Sequence, residues 1–321
     1  MSKQSCIMVI LDKGLQSTPA LLRAAALARK GGERLLLALF EYDRALVRAQ
    51  SRQFDLDAYL QGRRRKLEEF AARLRKDGLQ VEAKLFWGRP LLARMLLAVL
   101  AEKPQMVFKD VHAEPALRRL LFTPQDLDLL RQCPEPLMLV RPSPGALPKR
   151  ILAAVDPLDE HDRPHELNTR ILNMANRLAM QCGAQVDVVH VFEYVPFPTD
   201  PEVLSGWVPD TALQQKLRDL HTEGLQKLGE EYGIAPAQLY LLDGDPGRVI
   251  AEFSGAQHSD VVIMGTVQRG GFERLALGSV AERLLAQLNC DVLALKPDGF
   301  RARLQTELEH TELDNEGSNS G

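Results

Sequence analysis

The chain has 321 residues, with 40 basic side chains against 43 acidic ones and a net charge of -3; at roughly 150 residues per domain this length predicts two domains, each able to bury its own core. Hydrophobic residues at 45% and charged residues at 26% exclude a disordered or fibrous chain. So even a balance of charge leaves no field of one sign to hold nucleic acid or an anionic membrane across the whole surface.

From Met1 to Cys6 the chain runs straight into an apolar strand, without the small-residue site of a cleavable signal. No apolar run reaches the roughly 18 residues of a membrane span, so a cytoplasmic location is expected. The first strand, Ile7 to Asp12 (IMVILD), ends on an aspartate. Farther on, Leu60, Leu67, Phe70 and Leu74 form the apolar face of a helix that also carries Arg63, Arg64, Arg65 and Lys66. That basic run reads as a solvated face, because no interleaved aromatics accompany it as nucleic acid binding would require. Thr123-Pro124-Gln-Asp126 reads as a helix start kept for folding. Arg141 to Arg150 (RPSPGALPKR), with three prolines and a glycine, is a linker.

A second copy follows. Ile151 to Asp156 (ILAAVD) repeats Ile7 to Asp12 at an offset of 144, and Asp260 to Pro297 repeats Gln105 to Pro142 at an offset of 155. The chain therefore reads as a tandem duplication, with a domain at 1–142, a linker at 143–150, a domain at 151–298 and an acidic, disordered tail at 299–321. The extra residues of the second copy fall around Tyr194 to Asp210, an aromatic and proline-bearing segment that reads as a loop packed on its own domain, with binding of an amphipathic molecule as the sharper alternative. Strands are expected near 151–155, 185–192, 238–242, 260–264 and 291–296, with a helix at 210–232 striped by Leu213, Leu217, Leu220 and Leu228. Continuous apolar strands alternating with helices predict an α/β fold with a parallel sheet flanked on both faces. Ligands of such sheets bind past the carboxyl ends of the strands, where strand order reverses.

In the second copy that place holds Met264-Gly265, then Gln268-Arg269-Gly270-Gly271, then Gly278-Ser279-Val280 at a helix start. Bare glycines and exposed helix amides suit an anion such as phosphate, while Ser279 to Glu282 equally reads as a capping box needing no ligand. The first copy has Asp110 in place of Gly265 and Thr123-Pro124 in place of Gly278-Ser279, so a carboxylate and a proline stand where phosphate would need amides. His161 and His165 are interrupted by Pro164 and joined by no further ligand, so no metal is expected. Cys6, Cys133, Cys182 and Cys290 form no Cys-x-x-Cys pair and read as reduced, mostly buried thiols.

These residues resemble the universal stress proteins, whose nucleotide-binding members place Gly-x-x-Gly, nine residues, then Gly-Ser or Gly-Thr in this loop. Gly265, Gly278 and Ser279 fall at that spacing, and Gln268 stands where the middle glycine belongs. Both strand-ending aspartates, the HVFEY strand end, the closing Lys296-Pro297-Asp298 and the tandem layout extend the resemblance over residues 5 to 298. It implies two five-stranded parallel sheets of order 3-2-1-4-5, paired through their last strands as an intramolecular pseudo-dimer, with further self-association open. It implies a stress-response protein, supporting resistance to stress such as DNA damage, without strong catalysis. Its cofactor would be ATP or another adenine nucleotide, held only in the second copy. Asp156 would lie beside the ribose and adenine, the Val191 backbone would recognise adenine, and Met264, Gly265, Gly278, Ser279 and Val280 would line the phosphates. A weak ATPase, a ligand-free scaffold and a carrier of an amphipathic ligand are the competing readings. No P-loop, nucleophile elbow or zinc-protease motif accompanies the loop.

Overall fold

The computed structural model describes residues 5–50, 54–111, 122–142, 147–158, 166–193, 211–266, 279–301 and 304, apart from the side chains of Gln50 and Ser279. The N-terminal half runs β1 (Cys6–Leu11), α1 (Pro19–Gly31), β2 (Arg34–Glu41), α2 (Arg44–Gln50), α3 (Leu56–Lys76), β3 (Val81–Trp87), α4 (Leu91–Glu102), β4 (Met106–Asp110), α5 (Pro124–Gln132) and β5 (Leu137–Val140). The C-terminal half repeats this as β6 (Arg150–Ala154), α6 (Glu166–Cys182), β7 (Gln185–Phe192), α7 (Thr211–Glu231), β8 (Leu239–Asp243), α8 (Pro246–Ala256), β9 (Val261–Gly265), α9 (Ser279–Gln287) and β10 (Asp291–Leu295).

The strands are apolar on both faces because helices cover both. In β2, Leu35, Leu37 and Leu39 enter one core, and Leu36, Ala38 and Phe40 enter the other, as the two-residue period of a strand requires. Helix α1 begins where the Thr18 side chain accepts from the Leu21 amide, with Pro19 in the first turn, and stops at Gly32, whose φ of 73° is left-handed.

Each half keeps the expected order, and the halves merge into one sheet, β3-β2-β1-β4-β5-β10-β9-β6-β7-β8. The join is antiparallel, pairing Leu139 with Val292, Met138 with Leu293 and Leu137 with Ala294. Two strand edges that would otherwise expose unpaired backbone groups thereby satisfy each other. Side chains reinforce the join: Arg23 forms a buried ion pair with Asp291, whose Oδ1 accepts from the Arg141 amide at 2.9 Å. Lys296 donates to the Leu130 carbonyl and to Thr266 Oγ1.

Two sequence expectations change. In α7, Leu225 and Leu228 are buried, but Leu213 and Leu220 are 46% and 54% exposed, so the leucine stripe is not one buried face. The helix has 21 residues, about 31 Å at 1.5 Å per residue, and five-residue β8 spans only about 17 Å; the sheet edge is too short to support the helix throughout. The basic run on α3 is not uniformly solvated either. Arg63 turns back to a buried ion pair with Glu41. The segment 194–210, His161, His165 and the tail from 305 lie outside the described residues. Among the described residues, no helix is long and apolar enough to cross a membrane.

Candidate ligand-binding site

In the C-terminal half, β6 lies between β7 and β9, so the carboxyl ends of these three strands frame the crevice where strand order reverses. Asp156 follows β6, and the side chain of Asn168, in the first turn of α6, clamps its backbone: Asn168 Oδ1 accepts from the Asp156 amide at 3.0 Å, and Asn168 Nδ2 donates to the Asp156 carbonyl at 2.8 Å. The neighbouring Leu167 reaches Gly265 at the end of β9. A Cβ on Gly265 would come within 2.5 Å of Leu167 Cδ2, so a side chain at this position would have to displace that of Leu167. The volume that the bare glycine leaves is filled by Leu167.

Val191 lies beyond the last β6–β7 pair, Ala154 with Val189. The side chains of Val191 and Met264 are buried in the core. Helix α9 starts at Ser279, with Val280 half-buried. Gly278 lies outside the described residues, as do Gln268, Arg269, Gly270 and Gly271. The Glu282 carboxylate meets Arg131 of the other half at 3.1 Å.

A histidine pair borders Asp156. The Val155 carbonyl offers only lone pairs, so His190 Nδ1, 3.1 Å away, carries a proton and donates to it. His190 Nε2 must then accept from His221 Nδ1 at 2.6 Å. Both tautomers are fixed by one carbonyl. Burial pulls His190 down to about 4, opposed by its bond to Val155, and burial also lowers His221, with the charge of His190 as a second cause. Asp156 Oδ1 lies 3.9 Å from His190 Nδ1.

The equivalent crevice of the N-terminal half is filled by the protein itself. Asp110 Oδ1 accepts from the Ala20 amide at the start of α1, at 2.9 Å. Thr123 and Asp126 form a reciprocal capping box on α5. Lys109 donates to Asp126 at 2.6 Å, in an ion pair whose side chains are 9% and 0% exposed. The repeat places Met264 and Ala281 opposite Lys109 and Asp126, so the C-terminal crevice lacks all three of these charges.

Residues 6–141 and 148–296 each match the sequence model of the universal stress protein family. The chain belongs to the universal stress protein family. It is 25% identical to universal stress protein E of Photorhabdus laumondii over 317 residues, 96% of this chain and 100% of that one. It is 25% identical to universal stress protein E of Escherichia coli over 94% of this chain and 96% of that one. A functionally unknown protein of Pseudomonas aeruginosa shares the fold, with a TM-score of 0.75, 24% identity and coverage of 96% and 98% of the two chains. A universal stress protein from Archaeoglobus fulgidus gives a TM-score of 0.61 at 16% identity, over 91% and 98%. Membership of this family supports a role in the stress response.

In this universal stress protein, sequence reading missed Leu167, Asn168 and His221. Leu167 and Asn168 stand in the first turn of α6, which brings them to the strand ends; no motif marks that. His221 left a trace, because it stands four and seven residues before the buried Leu225 and Leu228, on the same helix face. Among the described residues, no group of three or more metal-ligating side chains occurs.

Proposed function

We propose that this chain is a non-catalytic, cytoplasmic stress-response protein, divided at 1–142 and 151–298, whose C-terminal half holds ATP or another adenine nucleotide. Asp156 lies beside the ribose and adenine, the Val191 backbone reads the adenine edge, and Met264, Gly265, Gly278, Ser279 and Val280 line the phosphates. The observation that carries this reading is the contrast between the crevices. In the N-terminal half Asp110 occupies the helix N-terminus as a fixed anion, whereas Gly265 in the C-terminal half brings no carboxylate to repel phosphate.

Titration calorimetry of the full chain with ATP tests it. Binding of one equivalent, weakened at least about tenfold in Asp156→Ala (about 1.4 kcal/mol) and unchanged in Asp12→Ala, is the expected result. Binding untouched by Asp156→Ala would assign the nucleotide elsewhere. The ligand-free scaffold is favoured by one specific observation, the Leu167 side chain packed over Gly265. A flat titration with ATP, ADP, AMP and adenosine would establish that second reading.

A further inference from the structure

Past the carboxyl ends of β1, β2 and β3 in the N-terminal half, a cavity of about 240 Å³ opens among Lys13, Tyr42, Asp43, Tyr59, Arg63 and Trp87. It stands apart from the β1–β4 crevice that Asp110 closes, because β2 and β3 are the outermost strands of this half. Trp87 ends β3 opposite Glu41, Tyr42 follows β2, and Tyr59 comes from the first turn of α3. The Tyr42 and Trp87 ring centroids are 5.8 Å apart at 42°, and those of Tyr59 and Trp87 are 6.3 Å apart at 67°. Rings at these angles make a faceted cup. The C–H groups of a puckered ring point in several directions and can meet several of these facets at once.

The polar lining mixes donors and acceptors. Arg63 donates through Nε to Glu41 at 3.0 Å and through Nη2 to the Lys13 carbonyl at 2.8 Å, which fixes its plane; its Nη1 donors make no bond among the described residues. Asp43 Oδ1 accepts from the Ala45 amide at 2.7 Å, leaving Oδ2 as an acceptor. The Tyr42 and Tyr59 hydroxyls supply both functions. Lys13 and Arg63 balance Glu41 and Asp43, so the lining selects neither an anion nor a cation. A further cation would also meet Arg89, whose guanidinium already lies 5.6 Å from the centre of the Tyr42 ring.

We propose that this cup binds a neutral saccharide ring, its C–H face against Trp87 and Tyr59 and its hydroxyls on Asp43, Arg63 and Lys13. At the corresponding strand end of the C-terminal half, β8 closes on Asp243, ion-paired with Arg218, where β3 closes on Trp87. The site is therefore independent of any nucleotide in that half.

The test uses Trp207→Phe, which leaves Trp87 as the single tryptophan of the two. Its emission is titrated separately with glucose, galactose, mannose and N-acetylglucosamine, and with adenosine as a flat-ring control. A saturable change with at least one sugar in the millimolar range, weakened about tenfold or more when Tyr59→Ala is added, is the expected result. If Tyr59→Ala does not fold, Asp43→Asn, which keeps an acceptor for the Ala45 amide, must weaken the same sugar. No response to any of the four sugars, saturation by adenosine alone, or a sugar response that a folded variant leaves unchanged overturns the proposal.

Discussion

The Asp110 carboxylate accepts a 2.9 Å hydrogen bond from the Ala20 amide across 90 residues of sequence, so the N-terminal half closes with its own anion the helix end that a bound anion would otherwise occupy. Removing it uncovers a buried donor. Asp110→Ala is expected to cost about 2 kcal/mol in urea unfolding of the full chain, and Asp110→Asn, which keeps an oxygen acceptor, distinctly less. Equal costs for the two variants would show that the Ala20 bond is not what matters.

Acid should act on the protein through His190. Burial holds it at about 4, below its ordinary 6.5, so the unfolded chain takes up a proton that the folded chain refuses. Its contribution to stability is complete above about pH 6.5 and is lost as pH falls to about 4, on the order of 3 kcal/mol in all. His190→Asn, able to donate to the Val155 carbonyl, is expected to flatten that part of the stability profile; a profile parallel to that of the parent protein would remove His190 from the account.

At the join between the halves, burial pulls the Lys296 ammonium from 10.5 down to about 7. Between those values the unfolded chain holds the proton and the folded chain does not, so stability rises with pH from about 7 toward 10.5 and is constant in this respect below 7. Lys296→Met should lose that alkaline gain, a few kcal/mol in order of magnitude, when unfolding is compared at neutral and alkaline pH.

Arg23 and Asp291 tie the halves together through a buried ion pair, their side chains 9% and 2% exposed. Arg23→Met leaves the Asp291 carboxylate without this counter-ion in the interior, at an expected cost of about 3–5 kcal/mol. The double variant Arg23→Met/Asp291→Asn should recover part of the loss, since the unbalanced charge is then gone. Urea unfolding of Arg23→Met, Asp291→Asn and the double variant checks this, and a double-variant cost equal to the sum of the two single costs would mean that the pair is not coupled.

The architecture was legible because it rests on local pattern. Strand cores such as Leu35 to Phe40 are buried on both faces, which continuous apolar runs announce, and the repeat of Ile7–Asp12 at Ile151–Asp156 declares two similar units. Strand bounds in the C-terminal half came within one residue of those observed, and the last strands do pair across the halves. The first turn of α6 was not legible. Leu167 and Asn168 act on Gly265 and Asp156, and nothing in their own neighbourhood distinguishes them from other helix residues.

Sequence by itself determined the tandem α/β layout, the family, and the difference in charge between Asp110 and Gly265, because periodicity, spacing and residue type are properties of one dimension. Only the tertiary structure decided that Asp110 caps α1, that Leu167 fills the space beside Gly265, that two histidines lock each other's tautomers, and that three aromatic rings meet at one corner of the sheet. Those are contacts between residues from 28 to 98 positions apart, and which side chains reach one another over such separations is set by how helices lie across the sheet.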